Sequence, residues 1–134
     1  MFLLDTVVVS ERTKPRPNPK VSTWLAGLDP QSQFLSVITI GEIRYGVERL
    51  PSSANKLRLE RWFAELTPFF VGRVLSVDLD VAERWGELRH QVRRTISATD
   101  SLIAATADVH NLIVATRNTR DFADLGVRVV NPWE

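Results

Sequence analysis

Short apolar segments alternate with helical patterns along most of this chain, and the alternation limits the folds that it can adopt. Each segment is long enough for one short buried strand, and the five are FLL (residues 2–4), FLSV (34–37), RVLSV (73–77), LIVAT (112–116) and VRVV (127–130). Between them, apolar residues recur every three or four positions, which indicates amphipathic helices. Strands that alternate with helices predict crossover connections, and therefore an α/β fold with a parallel sheet.

The predicted helices carry clear sequence signals. Helical spacing of apolar residues is found in residues 39–50, 53–66 and 78–94. A shorter helix is predicted over residues 21–28, and an alanine-rich helix over residues 101–110. Small alanine side chains would allow that last helix to pack closely against a sheet.

Two N-terminal segments are assigned from residue propensity. VVVSER (residues 7–12) can continue the first strand or form a short helix, and its run of β-branched residues favours the strand. KPRPNPK (residues 14–20) contains three alternating prolines, which exclude a helix and predict a stiff extended loop. This loop is too short to separate two domains, and no internal repeat is present. Residues 1–134 are therefore predicted to form one domain.

The composition excludes several classes of protein. With 17 basic and 16 acidic residues the net charge is +1, so nucleic-acid binding would require local clusters of Lys and Arg. The absence of cysteine excludes disulfides, thiolate zinc sites and cysteine nucleophiles, and it fits a reducing cytoplasm. No apolar run reaches the roughly 18 residues that span a bilayer, so no membrane association is expected. The apolar N-terminus lacks the basic start of a signal peptide.

Four acidic residues lie where predicted strands end or predicted helices begin. Asp5 and Asp121 come just after apolar segments, whereas Glu42 and Asp100 lie near the starts of helical patterns. Ligands of open parallel sheets bind in the crevice outside the carboxyl ends of the strands, so these carboxylates are predicted to converge there. Oxygen ligands without cysteine favour Mg²⁺ or Mn²⁺ over Zn²⁺. Such an ion can activate water and polarise a phosphate.

Structural roles are the alternative for each acid taken alone. Thr39–Glu42 fits a capping box, in which the glutamate accepts a hydrogen bond from the backbone at the helix start, and Ser97–Asp100 has the same form. Asp121 also suits a turn. Asp5 is harder to explain structurally, because it lies between two apolar segments and charged residues are rarely buried without a partner.

Several other side chains are candidates for supporting roles. Those that could orient ligands or water beside the acids are Thr6, Ser101, Thr116 and Asn118. Those that could contact phosphates are Lys14, Arg16, Lys20, Arg44, Arg93, Arg94, Arg117 and Arg120. Aromatic candidates for the core or for an association surface are Trp24, Trp62, Phe63, Phe69 and Phe70. The two histidines, His90 and His110, are predicted to be surface or helix-end residues.

Taken together, these motifs resemble a known family. The segments that carry the resemblance are LLDT, SVITIGEIRYGVERL, TDSLIAATA, VATRNTRDF and VNPWE. Their order and spacing resemble those of PIN-domain toxins of the VapC group, including its FitB-like branch. No one motif is specific, but the combination is, and it covers nearly the whole chain. The resemblance implies an α/β/α sandwich around a mostly parallel sheet.

The resemblance also implies a function. Proteins of this group are Mg²⁺- or Mn²⁺-dependent ribonucleases and the toxins of type II toxin–antitoxin pairs. Asp5, Glu42, Asp100 and Asp121 match the acidic quartet of the family, with Asp5 and Asp100 as its surest metal ligands. The implied reaction is hydrolysis of an RNA phosphodiester to a 5′-phosphate and a 3′-hydroxyl. The implied partners are a cognate antitoxin, promoter DNA bound mainly through the antitoxin, and a second copy of the chain.

One position departs from the family pattern. The family begins DTNVVS, whereas this chain reads DTVVVS, so Val7 replaces an amide that braces the acids. Because valine donates no hydrogen bond, a non-catalytic binding module that keeps the fold and the antitoxin interface is the alternative. The segment from Arg93 to Asp100 is also short for the group. A phosphatase that uses Asp5 as its phosphoryl acceptor would need a second acid two residues later, where this chain has Val7. A dinucleotide-binding domain would need a G-x-G-x-x-G motif after the first strand, and this chain has none.

Overall fold

Five parallel strands form the centre of the molecule in a computed structural model that covers residues 1–134. The strands are β1 (Phe2–Leu4), β2 (Gln33–Ser36), β3 (Val74–Leu75), β4 (Ile113–Ala115) and β5 (Val129–Val130). Their order across the sheet is β3-β2-β1-β4-β5, and every neighbouring pair is parallel. The predicted α/β fold with a parallel sheet is confirmed, and no strand of the sheet is antiparallel.

Seven α-helices connect these strands. They are α1 (Thr6–Glu11), α2 (Pro19–Ala26), α3 (Val37–Glu48), α4 (Ala54–Phe69), α5 (Leu79–Gln91), α6 (Ala98–Val109) and α7 (Thr119–Asp124). A single 3₁₀ turn, Pro30–Ser32, precedes β2. None of the helices is both long enough and apolar enough to cross a bilayer.

The alternation of side chains along each strand divides the core into two layers. Leu3 of β1 packs in a cluster with side chains of α5, α6 and α7, including Val81, Ile103 and Phe122. Leu4, the next residue, packs on the other face of the sheet in a cluster with side chains of α1, α2, α3 and α4. Because successive strand residues point to opposite faces, one short strand supports both clusters. The α/β/α sandwich that the family resemblance implies is therefore present.

The strand preferred for residues 7–12 is wrong, because α1 occupies this segment. The Asp5 side chain caps the helix by accepting a hydrogen bond from the Thr6 N–H. Val8 and Val9 are both buried in the same core cluster, whereas consecutive residues of a strand would point to opposite faces. Burial of both valines against α2 and α3 therefore outweighs the β propensity of the segment.

The capping box that the sequence allows as an alternative role for Glu42, at Thr39–Glu42, is not formed. Helix α3 begins at Val37, two residues before Thr39 and directly after β2, and Ser36 is its N-cap. The Ser36 hydroxyl accepts a hydrogen bond from the Ile38 N–H at 3.0 Å. Thr39 is consequently fully buried inside the first turns of the helix, and Glu42 lies in the second turn. The similar motif at Ser97 does cap α6, where its hydroxyl accepts from the Asp100 N–H at 3.1 Å.

The strand order creates a crevice at one edge of the sheet. The chain passes from β1 to β2 and β3 on one side, and then crosses to β4 and β5 on the other side of β1. The connections therefore diverge between β1 and β4, which is the topological switch point where ligands of such sheets bind. Asp5 and Thr116 are the residues that immediately follow these two strands.

Candidate functional site

Asp5 lies in the crevice itself, at the carboxyl end of β1. Its backbone N–H donates to the Ala115 carbonyl oxygen at 2.9 Å, which continues the β1–β4 pairing past the end of the strand. One carboxylate oxygen accepts from the Thr6 N–H and the other from the Thr116 hydroxyl, each at 2.8 Å. The carboxylate is 5% exposed and all its bonded partners are neutral, so it is buried without a counter-charge.

The environment of Asp5 makes its ionised form costly. Burial raises the pKa of its carboxyl from 3.8 to about 6, against the opposing effect of the Thr116 hydrogen bond. Repulsion from the carboxylates of Asp100 and Glu42 adds to the increase. A buried carboxyl whose pKa is raised by neighbouring carboxylates is typical of functional sites.

Glu42 reaches the site from α3. Its Oε1 accepts a hydrogen bond from the Thr6 hydroxyl at 2.6 Å. The same Thr6 hydroxyl lies 3.2 Å from that of Thr39. Thr6 thus contacts Asp5 through its backbone N–H and Glu42 through its side chain. The contact of Thr39 was not foreseen from the sequence, because it depends on helix α3 starting at the end of β2.

Asn118 connects the two remaining acids. Its side-chain amide nitrogen donates to Asp100 Oδ2 at 3.1 Å and to Asp121 Oδ2 at 2.8 Å. Its backbone N–H donates to the Thr116 hydroxyl oxygen at 2.9 Å. Since Thr116 in turn donates to Asp5, one chain of hydrogen bonds runs from Asp5 through Thr116 and Asn118 to Asp100 and Asp121.

Asp100 and Asp121 differ in charge environment. Burial raises the pKa of the half-buried Asp100, and repulsion from Glu42 and Asp121 contributes to the increase. The pKa of Asp121 is lowered instead, first by the Asn118 hydrogen bond and then by the hydrogen bond from Arg94. Arg94 was a candidate phosphate ligand in the sequence, but here its guanidinium is paired with the carboxylates of Asp121 and Asp124. Residues 27 positions apart give no local signal of such a pair.

The other predicted residues lie elsewhere. Ser101 is fully buried, and its hydroxyl accepts from the Trp85 indole N–H at 2.9 Å, so it joins α6 to α5 rather than contacting the four acids. Val7 is 45% exposed on α1. The predicted surface positions of His90 and His110 are confirmed.

The basic candidates fall into two groups. Besides Arg94, three of them have partners: Lys14 pairs with Glu11 at 2.8 Å, Arg44 with Glu48 at 2.9 Å, and the Arg117 guanidinium lies over the Trp133 ring. The other four are exposed and their side chains form no hydrogen bond or ion pair: Arg16, Lys20, Arg93 and Arg120. Arg120 also lies close enough to Asp121 to contribute to the lowered pKa of that carboxyl.

The donor chemistry of the site fits a hard divalent cation. The four acids offer only oxygen ligands, and the pKa values of Asp5 and Asp100 are raised first by burial and then by neighbouring carboxylates, effects that a bound cation would oppose. As placed, no three His, Cys, Asp or Glu side chains are grouped to hold a metal ion. The four acids therefore match a divalent cation in charge and in ligand type, but not in coordination geometry.

Comparison with known proteins agrees with this arrangement. The PIN domain family matches residues 2–127. Toxin FitB of Neisseria gonorrhoeae is 42% identical over 99% of this chain and 99% of its own length. VapC ribonuclease Y4jK of Sinorhizobium fredii is 36% identical over 100% of this chain and 99% of its own length.

Solved structures give the same result. The structure of FitAB bound to an IR36 DNA fragment matches with a TM-score of 0.95 and 40% identity, covering 100% of this chain and 96% of that chain. A toxin-antitoxin complex from Klebsiella pneumoniae matches with a TM-score of 0.77 and 29% identity, covering 100% and 99%. The chain belongs to the PIN-domain family, in the group that includes the FitB and VapC toxins.

Proposed function

We propose that this chain is a metal-dependent ribonuclease and the toxin of a type II toxin–antitoxin pair, with residues 1–134 acting as one domain. The observation that carries the proposal is the hydrogen-bond network described above, which links Asp5, Asp100 and Asp121 at the switch point of the sheet and reaches Glu42 through Thr6. The similarity to VapC ribonuclease Y4jK over nearly its whole length supports the same activity.

In this proposal the four acids hold one or more Mg²⁺ or Mn²⁺ ions. Asp5 and Asp100 are the main ligands, because burial and repulsion from neighbouring carboxylates make their ionised forms costly without a cation. Glu42 and Asp121 complete the site. The chemistry that such an ion supplies is activation of water and neutralisation of charge at a phosphodiester.

The chain itself fixes the directions of these carboxylates. Thr6 and Thr116 hold one oxygen each of Asp5, and Asn118 holds one oxygen of both Asp100 and Asp121. Ligands held in this way need little reorganisation when substrate arrives. Ser101 has no part in this network, since its hydroxyl bonds to Trp85 and to carbonyls of its own helix.

The substrate would be RNA, cleaved to a 5′-phosphate and a 3′-hydroxyl. The four exposed basic residues, Arg16, Lys20, Arg93 and Arg120, are the proposed contacts to its phosphates. Because the net charge is only +1, such binding depends on these local side chains rather than on the overall charge.

The proposed partners follow from the solved relatives. A toxin-antitoxin complex and a DNA-bound FitAB complex support a cognate antitoxin and, mainly through it, promoter DNA. A homodimer or a larger assembly with the antitoxin is proposed with them. The cysteine-free composition supports a cytoplasmic location.

The alternative proposal is a non-catalytic module that binds the antitoxin and takes part in promoter autoregulation. The observation in its favour is Val7, an exposed apolar side chain that donates no hydrogen bond to the acids. Expression in cells distinguishes the two. An enzyme should arrest growth and Asp5→Asn should relieve the arrest, whereas a binding module should be harmless and still bind the antitoxin.

The direct test is cleavage of a single-stranded RNA with Mg²⁺ or Mn²⁺. Asp5→Asn and Asp100→Asn should each lower the rate by about a hundredfold or more, because each removes a charged ligand. Asp108→Asn, which lies on the same helix as Asp100 and removes only the carboxylate that pairs with Arg84, is the matched control and should retain activity. Equal rates in the wild type and both site variants would reject the proposal, as would full activity in EDTA.

A further inference from the structure

Arg94 is the one arginine that is paired with a carboxylate of the proposed metal site. It lies in the irregular segment 92–97 between α5 and α6. Its Nη2 donates to Asp121 Oδ1 and its Nε donates to Asp124 Oδ2 at 2.8 Å. The guanidinium therefore joins this segment to α7 through two carboxylates, only one of which belongs to the proposed site.

Arg94 completes the set of partners of Asp121. The other oxygen of Asp121, Oδ2, accepts from Asn118. Both carboxylate oxygens of Asp121 are thus engaged, and the Asp121 and Arg94 side chains are 25% and 34% exposed. Charged hydrogen bonds of this kind are shorter and stronger than neutral ones.

We propose that Arg94 is a positioning residue that occupies Oδ1 of Asp121 when no metal is bound and weakens divalent-ion binding by competing for that oxygen. The inference rests on the proposed function, since it assigns Asp121 to the metal site. A guanidinium does not lose its proton in proteins, so Arg94 can yield the oxygen only by moving away. Asp124, which lies outside the four acids, is the second partner of the guanidinium and would keep it nearby.

The expected effect follows from charge. Asp121 must give up its charged hydrogen bond to Arg94 before Oδ1 can bind the ion, and the loss of such a bond is enough to change Kd by about tenfold. Arg94→Gln, which removes the charge and keeps a long polar side chain, should therefore lower the Kd for Mn²⁺ about tenfold. Arg94→Lys, which keeps the charge, should stay within about threefold of the wild type.

The experiment is a calorimetric titration of the metal-free full chain with MnCl₂. Arg93→Gln is the matched control, because it removes the same charge from the adjacent, exposed position. It should change Kd by less than about threefold, since exposed charges beyond direct contact are screened. An Arg94→Gln variant that binds Mn²⁺ no more tightly than the wild type, or no more tightly than Arg93→Gln, would overturn the inference.

A second comparison tests whether Asp121 is the contested ligand. In an Asp121→Asn background, Arg94→Gln should tighten Mn²⁺ binding by less than about threefold, because no charged oxygen remains to compete for. A full tenfold gain there would overturn the inference. The Arg94 Nε–H resonance offers a structural readout, which should shift when Mg²⁺ is added to the wild type and stay unchanged if Arg94 does not move.

The outcomes also separate this inference from the proposed function. Ribonuclease activity with unaltered Mn²⁺ affinity in Arg94→Gln would leave the nuclease in place and reject the role of Arg94. If neither the wild type nor Arg94→Gln binds Mn²⁺, both are rejected. Tighter ion binding by Arg94→Gln without RNA cleavage by either protein would support the inference and reject the nuclease.

Discussion

Asp5→Asn should stabilise the metal-free fold at neutral pH, although it removes a proposed catalytic ligand. The wild-type carboxyl is buried, and its pKa is raised from 3.8 to about 6. Between these two values the folded chain binds more protons at Asp5 than the unfolded chain does. The free energy of unfolding therefore falls as the pH rises through this interval, and the loss is complete above the folded pKa.

The size of the effect follows from the width of that interval. At about 1.4 kcal/mol per pH unit, a pKa raised from 3.8 to about 6 corresponds to about 3 kcal/mol. Asparagine has no charge to lose, and its amide can accept from the Thr6 N–H through Oδ1 and donate to the Thr116 hydroxyl oxygen through Nδ2. The stability of Asp5→Asn relative to the wild type should thus increase by about 3 kcal/mol between pH 4 and pH 8.

Urea denaturation followed by circular dichroism, in EDTA at several values between pH 4 and pH 8, measures this difference directly. Other carboxyls titrate in both proteins, so they largely cancel in the comparison. Asp80→Asn, an exposed change in the first turn of α5, is the control and should differ from the wild type by less than about 0.5 kcal/mol at every pH. A difference between Asp5→Asn and the wild type that is independent of pH would refute the reasoning.

Three further substitutions test individual hydrogen bonds and an ion pair of the fold. Thr116→Val removes a donor to the buried Asp5 carboxylate and should lower the unfolding free energy in urea by about 1–3 kcal/mol. Arg73→Met leaves three backbone carbonyls without their donor and should cost more than about 3 kcal/mol in the same assay. Glu11 has a pKa lowered by its hydrogen bond from Lys14, so Glu11→Gln should be less stable than the wild type above pH 4.5, and this difference should disappear as acid protonates Glu11.

Much of the fold was predictable because the strands are marked by local signals. The five apolar segments each overlap an observed strand, and the helical periodicity of residues 53–66 and 78–94 corresponds to α4 and α5. The short helices were harder. Helix α1 consists of residues with β propensity and is held by contacts with distant parts of the chain, and α7 is a six-residue helix whose sequence has no clear apolar period.

Some contacts of the candidate site were likewise predictable from the sequence, and others were not. Asp5, Thr116 and Asn118 follow strands, so their approach to one another was predictable from the rule that parallel strands end at one edge. The pairing of Arg94 with Asp121 was not predictable, because it depends on the path of an irregular segment. Ser101 was assigned to the site because it adjoins Asp100, but neighbouring helical residues point about 100° apart, and Ser101 faces Trp85.

The short length of the two edge strands affects the tendency of the protein to aggregate at high concentration. β3 and β5 contain only two residues each, and they are the sheet's only open edges. A long exposed edge strand would present a row of unpaired backbone N–H and C=O groups, on which a strand of another molecule could add and start amyloid-like aggregation. Because β3 and β5 are so short, they offer few backbone groups for such pairing, and this disfavours fibre formation.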